Sequence, residues 1–258
     1  MLEALRKRVV EGLNDEVDPL PQDAVKVGDD VLHRFLRARQ WKLDAAYAQL
    51  KKYILWFQKY KNILREKQKK EFFTLTPHIF YGFSKVGEPI FWGLSGRTNV
   101  TKVLQHVSYE AVLHRHIYSV EKQLVRMKQK TKELGKLVET QIMILDLTGL
   151  TFQMDARGST LFKDTIQIDQ DFYPEILGHL FIINAPWIFK GMWALISPWI
   201  DPVTSKKIHI LGGDYLNTLL KYIDLDQIPK EYGGTADVAV GTWDDNDLDF
   251  LVKDIYEN

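Results

Sequence analysis

Residues 171–213 read DFYPEILGHLFIINAPWIFKGMWALISPWIDPVTSKKIHILGG, and they carry the clearest indication of the fold class. It contains two short runs rich in branched and aromatic residues, HLFIIN (179–184) and KIHIL (207–211), which are typical of buried strands. The connection between them is long enough for a crossover helix, and strand, helix, strand is the pattern of a parallel or mixed sheet. The stretch therefore predicts an α/β fold.

The sequence upstream and downstream extends this sheet. ETQIMILDL (139–147) is another strand candidate, a helix is predicted near 158–172, and the aromatic runs around Val86–Pro89 predict a β-hairpin. A long amphipathic helix is predicted over 107–130, and LNTLLKYI (216–223) predicts a helix after the last strand.

The N-terminal part has a different pattern. From Asp29 to about Phe57, apolar residues recur at spacings of three and four, with a break at Gln40–Leu43. This periodicity predicts two successive helices. We therefore expect a helical lobe over residues 1–75 and an α/β domain over residues 76–258.

Composition excludes several classes of function. The 258 residues include 34 basic and 34 acidic side chains and no cysteine. A balanced charge argues against a dedicated nucleic-acid-binding protein, and the lack of cysteine excludes disulfides, thiol catalysis and thiolate metal sites. No run reaches the roughly 18 apolar residues that a membrane-spanning helix needs, and no signal-peptide core follows the amphipathic N-terminus. We expect a cytoplasmic protein with peripheral membrane contact.

The segment PWIFKGMWALISPWI (186–200) is unusually apolar, and its only charge is Lys190. Trp187, Trp193 and Trp199 lie six residues apart, about 600° of helical rotation, so they spread around the axis instead of forming one stripe. Two interpretations follow. The segment is either a buried core helix or a lid with one face on an apolar cavity and the other on lipid.

Signals for catalysis or metal binding are weak. The sequence has no G-x-S-x-G, no phosphate-binding G-x-x-x-x-G-K-S/T and no H-E-x-x-H motif. His114 and His116 are two residues apart on a predicted helix and point to different faces, which disfavours a metal site with His106. Asp146 ends a strand, where bonds to nearby loop amides are favoured over a catalytic role. The basic run Lys59–Lys70 is expected to be a solvated helix face, with phosphate headgroups as the alternative contact.

Several separated motifs, in order, resemble those of one known family. They are VLHRFLRARQWKLDAA, ETQIMILDLTGL, DFYPEILGHLFIINAPWIF, SPWIDPVTSKKIHILGG and IPKEYGG, and together they span Asp29 to Gly234. The chain resembles the CRAL-TRIO lipid-transfer family, in its secretory-pathway phosphatidylinositol/phosphatidylcholine transfer branch. The resemblance implies a helical N-terminal lobe followed by a lipid-binding domain. In that domain a mixed, mostly parallel sheet floors an apolar pocket that a gate helix closes.

The resemblance also implies site residues. Four are expected to bind a lipid headgroup: Arg39, Glu175, Thr204 and Lys207. Four are expected to line the lipid pocket: Phe91, Trp92, Gln141 and Met143. Six are expected in the gate: Trp187, Phe189, Met192, Trp193, Ile196 and Trp199. No catalytic residue, metal ligand or cofactor is implied beyond a bound phospholipid.

One departure from the family pattern bears on the ligand. Members that also carry phosphatidylcholine place small hydroxyl residues where this chain has Gln141 and Met143, which puts phosphatidylcholine in doubt as the second ligand. The leading hypothesis is a phosphatidylinositol-transfer protein without covalent catalysis. We expect it to act as a monomer, to contact Golgi or endosomal membranes transiently and to serve lipid kinases. The alternatives are a carrier of a sterol, tocopherol-like or isoprenoid ligand, and a lipid sensor or scaffold that transfers nothing.

Overall fold

The computed structural model describes residues 1–63, 74–151 and 156–241. The tail from Thr242, and the greater part of the basic run Lys59–Lys70, lie outside the described residues. The chain divides into two units. The helical unit comprises Met1–Ile63 and Ile166–Ile176, and the sheet unit comprises Leu64–Thr165 and Leu177–Asn258.

The helical unit contains α1 (Leu2–Gly12), α2 (Asp29–Ala38) and α3 (Leu43–Phe57). The expected break after α2 is present, and it is sharp because Gln40 and Trp41 both take left-handed backbone conformations, with φ of 53° and 61°. The amide of Trp41 donates to the carbonyl of Leu36 at 2.7 Å, which closes the C-terminus of α2.

A later segment of the chain also belongs to the helical unit. Trp56 of α3 stacks on Phe172 with ring centroids 3.9 Å apart. The side-chain amide of Gln49 donates to the carbonyls of Gln170 and Asp171, both at 3.0 Å. These contacts attach the C-terminal half of α6 (Ala156–Phe172) to α3.

The sheet unit is built on five strands in the order β1 to β5. They are β1 (His78–Phe83), β2 (Pro89–Gly93), β3 (Gln141–Asp146), β4 (Leu177–Ile183) and β5 (Ile208–Ile210). β1 and β2 form the predicted antiparallel hairpin, and the three remaining pairs are parallel. The sheet is therefore mixed and mostly parallel, which confirms the predicted fold class.

Helices connect the strands of the sheet unit. They are α4 (Val100–His106), α5 (Tyr109–Leu134), the start of α6, α7 (Phe189–Ile196) and α8 (Pro202–Ser205), and a further helix, α9 (Leu216–Leu219), follows β5. The helix predicted over 216–223 is shorter than expected, because the chain turns after Leu219 so that both Leu219 and Ile223 reach the core.

Alternation along the strands gives the sheet two different faces. On one side, the core face, Trp92, Ile144 and Phe181 are buried against residues that follow β5, including Ile228 and Tyr232. On the other side, the open face, one row of register partners crosses all five strands. That row consists of Phe80, Phe91, Met143, Leu180 and Ile208.

α5 packs across the β1 end of the open face. Its Arg126 donates to the carbonyls of Ile90 and Gly82 at 2.9 and 3.0 Å, and its guanidinium lies over the ring of Phe83. The ammonium group of Lys122, one turn earlier, lies 4.3 Å from the ring centre of Phe80. Phe80 is buried as a result, whereas the rest of the row toward β5 is not.

Candidate functional site

The open face carries apolar side chains that remain partly accessible. Phe91, Met143, Leu180 and Ile208 are all half-buried, and Ile210 is 40% exposed. Their immediate neighbours in sequence on the core face, such as Trp92 and Ile144, are about 1% exposed. An apolar sheet face that keeps its surface accessible is a candidate floor for a hydrophobic ligand.

Trp92 does not belong to this face, so the expectation that it lines a lipid pocket is corrected. Successive side chains of a strand point to opposite sides, so Phe91 and Trp92 cannot share one wall. Trp92 stacks on Tyr232 with ring centroids 5.0 Å apart, and its indole N–H donates to the carbonyl of Tyr81. It is a core residue.

Gln141 and Met143 are two residues apart on β3 and therefore share the open face. Gln141 is only 5% exposed at the start of the strand, whereas Met143 is half-buried at the centre of the row. The thioether of Met143 presents a polarisable, nearly apolar surface at this point. A pocket role for both residues stays a prediction.

The apolar segment 186–200 contains α7 and a short 3-10 helix, Ser197–Trp199. Phe189, Met192 and Ile196 form one buried stripe at spacings of three and four. In contrast, Trp187 is 84% exposed and Leu195 is 62% exposed. A fully buried core helix is therefore excluded, and the segment is apolar on both its buried and its exposed sides.

A groove of about 360 Å³ runs between this segment and the end of β5. It is lined by Ala185, Pro186, Trp187, Phe189, Lys190, Trp193, Ile210, Leu211 and Gly212. The lining is apolar except for Lys190. Its volume is at the small end of the range for ligand pockets, about 300–1,000 Å³, so it suits part of a lipid.

The predicted headgroup residues occur in both units. In the helical unit, Arg39 is exposed directly after α2, and Glu175 has a left-handed backbone with φ of 62°. In the sheet unit, Thr204 lies in α8, where its amide donates to the carboxylate of Asp201. The amide of Lys207 donates to the carbonyl of Thr204, and its own carbonyl accepts from Leu180 at the start of β5. Their role in headgroup binding stays a prediction.

Asp146 has a structural bonding pattern, as favoured from the sequence. Its carboxylate accepts from the amide and hydroxyl of Thr148, from the side-chain amide of Asn184 at 2.9 Å and from the hydroxyl of Tyr232 at 3.2 Å. Burial, together with this carboxylate, raises the pKa of Tyr232 and keeps its hydroxyl protonated as a donor. The bond from Asn184 to Asp146 links the C-terminal ends of β3 and β4.

Sequence reasoning missed a polar cluster at the β1 end of the open face. His78 is 5% exposed, and its ring Nδ1 donates to the carbonyl of Thr76. Its Nε2 accepts from the guanidinium of Arg115 on α5. Burial, followed by the charge of Arg115, lowers the pKa of His78 to about 3, so the imidazole is neutral. The available signal was the spacing of Arg115, Lys122 and Arg126, which places cations on the inward side of α5.

The described residues contain no group of three or more histidine, cysteine, aspartate or glutamate side chains that fits a metal ion. The ring of His106 donates to the carbonyl of Lys102 in the last turn of α4, and His114 and His116 lie on α5. Within the same described ranges, we find no helix that combines the length and the apolarity required to cross a bilayer.

Comparisons with known proteins agree with this architecture. Residues 73–234 match the CRAL/TRIO domain, and residues 10–52 match the CRAL/TRIO N-terminal domain. The SEC14 cytosolic factor of Kluyveromyces lactis is 30% identical over 220 residues, which is 83% of this chain and 73% of that protein. The phosphatidylinositol/phosphatidylcholine transfer protein SFH4 of Arabidopsis thaliana is 31% identical over 236 residues, covering 84% of this chain and 38% of that protein. The crystal structure of Sfh5 shares the fold, with a TM-score of 0.71 at 22% identity over 100% of this chain and 95% of that one.

Proposed function

Because this chain belongs to the CRAL-TRIO family, as a Sec14-like lipid-binding or transfer protein, we propose that it binds phosphatidylinositol and moves it between membranes or presents it to a lipid kinase. The observation that carries the proposal is the half-buried row Phe91, Met143, Leu180 and Ile208 on the open face. Beside its β5 end lies a helical segment that is apolar on two sides.

The lipid tails set the main physical requirement on a carrier. A diacyl lipid has on the order of 30 methylenes, each of which costs about 0.8 kcal/mol when left in water. A carrier must therefore give the tails an apolar surface in place of the bilayer. The open face supplies such a surface, and exposed Trp187 and Leu195 suit contact with a membrane during exchange.

The headgroup assignment is part of the proposal. Lys207 supplies a cation for a phosphodiester, and Thr204 supplies a hydroxyl that donates or accepts one bond. In the helical unit, Glu175 is proposed to accept from inositol hydroxyls and Arg39 to contribute a second cation. No covalent chemistry is proposed, since the carboxylate of Asp146 is engaged by Thr148, Asn184 and Tyr232.

Vesicle-to-vesicle transfer of labelled phosphatidylinositol tests this function. Lys207→Ala removes the proposed phosphate contact, and Lys206→Ala removes an exposed cation one residue away as a matched control. A charge-assisted hydrogen bond contributes about 1.5–3 kcal/mol, so we expect Lys207→Ala to slow transfer by roughly 10-fold or more while Lys206→Ala transfers at the wild-type rate. Equal rates for all three proteins would show that the headgroup assignment is wrong, and no transfer by the wild type would contradict the function itself.

A second candidate follows from Gln141 and Met143. With Met143 half-buried at the centre of the open face, the floor suits a neutral hydrophobic ligand such as a sterol or an isoprenoid. Under this alternative the same assay, run with a labelled sterol, gives transfer and the phosphatidylinositol assay gives none. We also propose, from the resemblance to the Sec14-like branch, that the protein acts as a monomer. On the same ground we propose that it contacts Golgi or endosomal membranes transiently and serves lipid kinases.

A further inference from the structure

Two imidazole rings meet on the core face at the β4–β5 edge of the sheet. The Nδ1 atom of His179 on β4 lies 3.1 Å from the Nε2 atom of His209 on β5. Both side chains are half-buried, so both rings are held by the protein and still reach solvent. Neither ring takes part in the proposed lipid function.

Aromatic neighbours fix the orientation of both rings. Phe181 stacks against His179 and His209, with ring centroids 5.7 and 4.9 Å away at interplanar angles of about 20°. The ring of Tyr222 also packs against this pair, with its centroid 4.3 Å from that of His179 and 6.4 Å from that of His209. Since β4 and β5 are also joined by backbone hydrogen bonds, the two nitrogens approach each other as parts of a rigid frame.

The separation of these nitrogens fits chelation. Imidazole nitrogens bind zinc at about 2.0–2.1 Å, so two of them at angles between a right angle and a tetrahedral angle lie about 2.9–3.4 Å apart. The observed 3.1 Å falls inside this interval. We propose that His179 Nδ1 and His209 Nε2 together bind one divalent transition-metal ion, of which copper and zinc are the best fits to imidazole ligands.

The residues around the two histidines determine the remaining ligands and the local charge of the proposed site. The described residues offer no third histidine or carboxylate in ligand position, so water completes the coordination shell. The carboxylate of Glu88 places negative potential at His179, whereas the ammonium of Lys207 opposes it. An ion here would link β4 to β5, the two strands between which the apolar segment 186–200 runs.

The competing explanation is that the two neutral rings only share a hydrogen bond. To distinguish metal binding from a simple hydrogen bond, the full chain is titrated with Cu²⁺ alone. Binding is monitored by calorimetry and by electron paramagnetic resonance. We expect one ion per chain with coupling to two imidazole nitrogens, and binding at least about 10-fold weaker in His179→Gln and in His209→Gln. Zinc should compete with copper at the same site.

Control variants and a fold check make the result decisive. His106→Gln removes an exposed imidazole on α4 of the same unit and should leave the two-nitrogen signal unchanged. The wild-type spectrum does not depend on how any variant folds, and circular dichroism checks each variant. Any of three results would overturn the proposal. The wild type binds no copper, its spectrum shows no coupling to two nitrogens, or folded His209→Gln binds copper with the same affinity as the wild type.

Discussion

Phe91 and Met143 are register partners on the parallel strands β2 and β3, and both keep part of their surface accessible on the open face. The next pair along the same ladder, Trp92 and Ile144, points the other way and is buried in the core. One ladder thus separates residues proposed to meet a ligand from residues that hold the sheet together. This separation leads to distinct expectations for stability and for lipid binding.

Truncating the two aromatic neighbours on β2 should have unequal effects on stability. Trp92→Ala removes a buried ring that stacks on Tyr232, and core truncations of this size cost about 3–5 kcal/mol in the free energy of unfolding. Phe91→Ala removes a half-buried ring and should cost roughly 1–2 kcal/mol. Urea unfolding of lipid-free protein measures both values, and a larger cost for Phe91→Ala would mean that the two faces have been assigned the wrong way round.

Filling the open face should block lipid binding without unfolding the protein. Met143→Trp adds a large ring at the centre of the row, where the lipid tails are proposed to lie. We expect bound phospholipid to fall by about 10-fold, with a melting temperature close to that of the wild type. Val86→Trp adds the same ring on the exposed hairpin turn and serves as the control. It should bind as much phospholipid as the wild type. Undiminished lipid in Met143→Trp would show that tails do not lie there.

Trp187 should contribute to membrane contact and not to folding. Its side chain is 84% exposed, so Trp187→Ala leaves the core intact, yet it removes a large ring suited to the membrane interface. We expect liposome binding in a sedimentation assay to weaken about 10-fold, which is roughly 1.4 kcal/mol. Val86→Ala, an exposed apolar truncation in the same unit, should bind liposomes as the wild type does. If both variants bind liposomes equally weakly, the loss reflects exposed apolar surface in general and not a specific contact of Trp187.

His78 should make the sheet unit sensitive to acid. Burial, and then the Arg115 cation, lowers the pKa of His78 to about 3 from its ordinary value near 6.5. Between these two values the unfolded chain binds a proton that the folded chain does not. The free energy of unfolding therefore falls as pH drops through this window, by up to about 1.4 kcal/mol per pH unit.

Urea unfolding at several pH values between 7 and 4 checks this dependence. His78→Gln should reduce the slope, whereas His106→Gln, which removes an exposed imidazole, should retain it. If the wild type and His78→Gln lose stability in parallel over this pH range, His78 is not the source of the acid sensitivity.

Local sequence patterns predicted most of the fold. The branched residues of 141–146 and 177–183 favour strands whichever neighbours they pair with. A local loss of helical periodicity predicts the break at Gln40–Leu43. The segment 186–200 was recognisable as unusual because its tryptophans do not form one stripe. Each of these features depends on residues that are close in the chain.

Features that depend on pairing between distant strands were not predictable. The sequence alone does not show which of the neighbours Phe91 and Trp92 faces the pocket, and only the β2–β3 register shows that Trp92 faces the core. The contact of His179 with His209 requires the β4–β5 register, which no local pattern specifies. Arg115 and His78 meet only because α5 packs on β1.

Native mass spectrometry of the full chain, purified under mild conditions, tests whether the open face holds phospholipid tails. We expect one diacyl phosphatidylinositol per chain, lost on extraction with organic solvent and greatly reduced in Met143→Trp. A wild-type chain that carries no lipid, even after incubation with phosphatidylinositol vesicles, would contradict it.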